Sequence, residues 1–246
     1  MEIIDSATCI GVQPEDDRLL DAVTLLGQMD RAGVSEALCT HFAAIRFDTR
    51  AGNDELLEIC ASQPRLHPVA VVNPSIYIGV NEEIRRCAHD GFVGFRFVPS
   101  LQGWSLSSQP FAQATHMAAD MGLPLAVELS ESGDATLVDR VTHALPVPVI
   151  LAGLTYRTLG EAIAVIERHR HLCLEACSLA TPGIVELLVQ RLGSERLLFA
   201  SNAPAWEIAP TLSVVRAADI AESDKEAILG DNAKRLYHLD RSESVI

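Results

Sequence analysis

The sequence predicts an α/β fold, a single-domain (β/α)8 barrel of the TIM-like kind, and three observations carry that expectation. Short apolar runs rich in Val, Ile, Leu and Phe alternate with longer segments of helical period, the pattern of βα units around a parallel sheet. Glycines stand where helices should stop before the next strand, at Gly33, Gly91, Gly122 and Gly193. Glycine reaches the left-handed backbone that closes a helix at little cost. The length of 246 residues suits one large barrel.

In chain order, strands are expected near 2–8, 35–40, 66–72, 92–98, 123–129, 147–153, 171–177 and 196–201, with helices filling the gaps and two or three more after the last strand. Pro146 and Pro148 flank a strand start, where a missing amide hydrogen does least harm. Asp231 is placed as the N-cap of the last helix. No Ser/Gly-rich linker divides residues 1–246, which read as one domain with a frayed tail over 240–246.

Composition excludes several classes of partner. A net charge of −14 opposes nucleic acid and anionic membrane surfaces, both of which select for basic patches. No window reaches the roughly 18 apolar residues of a membrane span. The acidic start Met1-Glu2-Ile3-Ile4-Asp5 enters a strand at once and does not read as a signal peptide. The six cysteines are scattered without a CxxC pair. Most read as small buried residues in a reducing cytoplasm.

Several segments then narrow the family. Ile3-Ile4-Asp5-Ser6-Ala7-Thr8-Cys9-Ile10-Gly11 is similar to an opening IDxHxHxG strand, and Gly91 to Trp104 to a GxxGxKLHPxxQG turn. Leu123-Pro124-Leu125-Ala126-Val127-Glu128 matches LPVxxH, and Val149 to Leu154 matches VILAHLG. Leu197 to Pro204 matches LLFGSD-P, and Ile228 to Leu236 matches ILGGNAxRLL. In this order the segments resemble the amidohydrolase-related (amidohydrolase 2) family. The resemblance implies an amidohydrolase-like barrel, with hydrolysis or decarboxylation as its chemistry. It also implies a metal site, and here this chain departs. The histidine and aspartate positions of the family fall on Ala7, Cys9, Val98, Glu128, Gly153 and Asn202, with Arg96 where Lys is common. Ala, Val and Gly have no ligating atom, and Asn is neutral and takes no proton from a metal-bound water. Cys9 and Glu128 alone are too few for a tight catalytic site. No metal and no other cofactor is expected.

Strand parity places Cys173, Glu175 and Cys177 inward on the seventh strand, joining Arg96, Glu128, Cys9 and Asn202 at the mouth. Arg96, Glu128 and Glu175 carry two readings. Arg96 could hold a substrate carboxylate while a glutamate acts as general base, or the group could be an internal ion pair. Glu128, Arg96 and Asn202 are the catalytic candidates; Cys9, His41, Trp104, Glu175 and Cys177 are the substrate-binding candidates. His41 could activate Cys9 or Cys177, although burial as small hydrophobes is the simpler reading. Trp104 and Trp206 could cover a ligand or merely lid the barrel. His169-Arg170-His171 falls at the opposite end, complementing a helix C-terminus.

These residues leave three functional readings. The first is a metal-independent hydrolase or decarboxylase of a small carbonyl or carboxylate compound. The second is a catalytically inactive barrel serving as small-molecule sensor or partner subunit, and the third a metal-dependent hydrolase with atypical ligands. The expected partner is a small molecule in the cytoplasm, with neither nucleic acid nor membrane, and a homo-oligomer is allowed for.

Overall fold

A computed structural model of the chain describes residues 1–13, 18–176 and 181–239. Nine strands form one sheet: β1 (Ile4–Gln13), β2 (Arg18–Leu20), β3 (Glu36–His41), β4 (Leu66–Val72), β5 (Gly94–Phe97), β6 (Leu125–Glu128), β7 (Val149–Ala152), β8 (Leu172–Glu175) and β9 (Leu197–Leu198). Strand β2 pairs antiparallel with the end of β1, and the other pairs from β1 to β9 are parallel. The last strand runs on past β9 and closes the sheet. Ser6 N donates to Phe199 O at 2.9 Å, Asn202 N to Ala7 O at 2.9 Å, and Cys9 N to Ala203 O at 2.8 Å. The result is the eight-stranded parallel barrel, with β2 as a short hairpin at its rim.

Helices cover the outside in the expected alternation: α1 (Ala22–Ala32), α2 (Phe42–Arg46), α3 (Thr49–Ala61), α4 (Val80–Asp90), α5 (Pro99–Gln102), α6 (Gln109–Asp120), α7 (Asp134–Thr142), α8 (Tyr156–Ile166), α9 (Ile184–Leu192), α10 (Ile208–Arg216), α11 (Glu222–Glu226) and α12 (Asn232–Tyr237). Gly33 and Gly91 end α1 and α4 with φ of 75° and 101°, which a side chain would strain. Outward residues such as Phe95, Phe97, Leu172 and Leu174 join the core beneath the helices. Inward residues form a second core at the barrel bottom, where Ile4, Leu38, Val69, Ala126, Ile150, Cys173 and Leu198 meet Leu236 and Tyr237 of α12. Gly94 makes room for that plug, since a Cβ there would lie 2.8 Å from the Tyr237 ring.

The parity expected for β8 holds at Cys173 and Glu175, while Cys177 lies outside the described residues, as does the tail over 240–246. Asp231 is corrected. It has helical angles and no capping side-chain bond, because a π-helical turn over Ala227–Asp231 links α11 to α12 without a break. That turn lets Gly230 pass so close to the segment leading into β1 that a Cβ would meet Glu2 O at 2.2 Å. Strand β1 carries a bulge, with Asp5 opposite Ala37 but Thr8 opposite Cys39. One extra residue re-aims the side chains beyond it. Ile4 faces the barrel bottom, while Ala7 and Cys9 line the opposite mouth.

Candidate active site

The mouth formed by the C-terminal strand ends holds a cavity of about 210 Å3. Arg96, Glu128, Asn202 and Cys9 line it, together with Thr40 and Arg46. Arg96 comes from β5, and its guanidinium joins two carboxylates. Nη1 and Nη2 donate to Glu175 Oε1 and Oε2 at 2.9 and 3.0 Å, and Nε donates to Glu128 Oε1 at 3.0 Å. The two glutamates differ in access. The Glu175 side chain is 0% exposed and that of Glu128 is 23% exposed. Burial works against the Arg96 charge, but Glu175 and Glu128 more than offset it and hold its pKa well above the ordinary value. Burial raises the Glu175 carboxyl, and Arg96 counters only part of that. Glu175 is therefore the sealed partner that fixes Arg96, and Glu128 is the carboxylate open to the cavity. A guanidinium has five N–H donors. Three are used here, which leaves two on Arg96.

The other candidates separate. Cys9 lines the cavity, but burial pushes its thiol up to about 12. His41 does not pair with it. Its Nδ1 accepts from Ala43 N at 3.2 Å at the start of α2, and its Nε2 stands 3.7 Å from Glu55. The ring is packed beneath Gly11, whose absent Cβ would sit 3.0 Å away. Burial holds the His41 pKa down, with Glu55 opposing. Trp104 stacks on Phe111 at 5.3 Å and donates to Gln102, so it belongs to the outer core rather than to a lid. Of the substrate-binding candidates, His41, Trp104 and Glu175 do not line this cavity, and Cys177 lies outside the described residues. Trp206 is exposed. Asn202 lines the cavity with a left-handed φ of 59°, a conformation that Asn tolerates better than most residues.

Three residues escaped the sequence reading. Thr40 has inward parity on β3, and Arg46 lies within one helix after that strand, so both carried a usable signal. Asp5 carried none beyond its place in the opening motif. It is fully buried; Oδ1 accepts from Ser201 N at 2.8 Å, while Oδ2 has no partner. Burial raises its pKa to about 7, against the bonds from Ser201 and Ala7, and the Glu175 charge adds to the rise.

Comparison with known proteins places this geometry. The model of the Amidohydrolase family matches residues 6–239. No curated protein matches the chain. Among solved structures, the chain is similar to 2,6-dihydroxybenzoate decarboxylase from Rhizobium, with 17% identity, TM-score 0.78, and coverage of 97% of this chain and 99% of that one. The 5-carboxyvanillate decarboxylase of Sphingomonas paucimobilis gives 17% identity and TM-score 0.77 over 96% and 99%. A dihydroxybenzoic acid decarboxylase from a Polaromonas species, solved with bound manganese and 2-nitroresorcinol, gives 17% and 0.75 over 98% of each chain. Among the described residues no group of three or more His, Cys, Asp or Glu could hold a metal, and a guanidinium already bonds both carboxylates. By its family match over nearly its whole length and by its barrel, the chain belongs to the Amidohydrolase family.

Proposed function

We propose that this barrel is a metal-independent hydrolase or decarboxylase that acts on a small carbonyl or carboxylate compound at Arg96 and Glu128. One observation carries the reading: Glu128 and Arg96, which keeps two unspent donors, both line one cavity, while Glu175 is consumed in holding the guanidinium. A cavity of about 210 Å3 lies below the roughly 300–1,000 Å3 of drug-sized sites, which suits a small ligand. Arg96 is the fixed cation that receives a carbonyl or carboxylate oxygen. Glu128 moves the proton: it takes one from an attacking water in hydrolysis, or its protonated form delivers one to the carbon that CO2 leaves. The names of the decarboxylases with this fold support a carboxylate substrate.

A second reading, an inactive barrel that binds a small molecule, draws on the neutral Asn202 at the family's acid position. Melting curves with a panel of small carboxylic acids, paired with turnover assays and elemental analysis, separate the readings. The expected result is a ligand-dependent rise in melting temperature that disappears in Arg96→Met, and turnover that drops about 10²–10⁴-fold in Glu128→Gln. Binding without turnover supports the sensor. One tightly held divalent metal per chain overturns metal independence.

A further inference from the structure

A second cavity, of about 650 Å3, lies at the opposite, N-terminal end of the barrel and plays no part in the site above. Arg170, Arg196 and Arg235 line it. In a chain of net charge −14, such a convergence of cations is unexpected. None of the three makes an ion pair within 4 Å among the described residues. Two glutamates also stand at the cavity: Glu167 is bonded by Arg191 at 2.7 Å and feels the Arg196 charge more weakly, and the Glu195 carboxylate folds over Gly193, where a Cβ would meet it at 2.3 Å.

Two of the guanidiniums are fixed in advance by neutral acceptors. Arg196 donates from Nε to Leu192 O at 2.5 Å and from Nη1 to Ile166 O at 2.9 Å. Arg235 donates from Nη2 to Glu195 O at 2.7 Å and to Asn232 Oδ1 at 3.0 Å. Carbonyl acceptors orient a cation without neutralising it, and each side chain keeps three of its five N–H donors. Their charge reaches the cavity lining. Burial pushes the Cys173 thiol up to about 11, against a downward pull from Arg235 and Arg196, with the Glu195 charge adding to the rise. Capping of the α8 and α9 ends explains why Arg196 is where it is. It does not explain Arg170, which has no bonded partner in the described fold.

We infer that this cavity at the base of the barrel is a binding site for a small polyvalent oxyanion, held by Arg170, Arg196 and Arg235. The chemistry asks for an acceptor-only group with at least two negative charges, because prearranged guanidiniums bind carboxylate and phosphate oxygens in paired bonds. The volume admits more than a bare tetrahedral ion, so a phosphate monoester and a tricarboxylate both satisfy it.

The test is a titration of the full chain, by calorimetry and by melting temperature, with inorganic phosphate and with propane-1,2,3-tricarboxylate. Sodium chloride at matched ionic strength is the control. Wild type should show saturable binding of one or both polyvalent anions and none of chloride, and the better probe identifies the head group. Affinity should fall at least about tenfold in Arg170→Gln, whose side chain braces nothing, and vanish in Arg170→Gln/Arg235→Gln. A response that tracks ionic strength alone, or saturation unchanged in both variants, overturns the site. Variants at Arg96 should bind these anions normally, so failure here and failure at the mouth are distinguishable.

Discussion

At the scale of single residues, two buried acids govern the barrel interior. Glu175 cannot reach water, so removing its guanidinium leaves an uncompensated charge. Arg96→Met should cost roughly 3–5 kcal/mol in chemical denaturation. The double variant Arg96→Met/Glu175→Gln should be much milder than Arg96→Met alone, whereas Glu128→Gln should be tolerated because Glu128 is partly exposed. Equal costs for the single and double variants would contradict a structural pair. Asp5 sets a pH dependence. Its carboxyl titrates near 3.8 unfolded and about 7 folded, so the native state holds the proton more tightly. Its contribution is fully present below about pH 4 and is lost as pH rises to about 7, a change on the order of 4 kcal/mol. Asp5→Asn keeps the acceptor for Ser201 N and removes the titration. Relative to wild type, it should therefore gain stability steadily between pH 4 and 7 and no further above. A flat difference across that range would show that Asp5 is ionised in the fold.

At the scale of elements, the mouth depends on how closely α2 approaches α3. Gly52 of α3 passes α2 so tightly that a Cβ would lie 2.1 Å from Ala44 N, against backbone that has no room to yield. Helix α2 carries Phe42, Ile45 and Arg46 into the cavity lining. Gly52→Ala should therefore lower stability by about 1–3 kcal/mol and also weaken any small acid bound at the mouth. A stability loss with ligand affinity intact would separate helix packing from the site. Asn53, one residue on, shows the complementary device. Its side chain receives Val71 N at 3.0 Å and donates to Val71 O at 3.1 Å, tying α3 to an inward residue of β4.

At the scale of the molecule, the barrel is plugged at one end and open at the other. Tyr237 fills the bottom layer at 2% exposure, beneath Arg96 and Glu175. Tyr237→Ala should cost about 3–5 kcal/mol by opening a void under the ion pair. A small acid bound above should still raise the melting temperature if the mouth is assembled by the strands alone. Loss of both together would show that the plug positions Arg96.

The alternation of apolar runs and helical segments determined the barrel, and the motif order determined the family, because both are local patterns repeated along the chain. Parity also carried Cys173 and Glu175 inward, since successive side chains of a strand must oppose. Tertiary structure alone decided which glutamate seals Arg96 and which faces the cavity. Both stand inward at strand ends, and only the assembled barrel gives Glu175 the bidentate contact and Glu128 the single one. The roles of His41 and Trp104 were equally out of reach of the sequence. A helix cap and an aromatic stack depend on neighbours that the fold brings together, Ala43 and Glu55 in one case and Phe111 in the other.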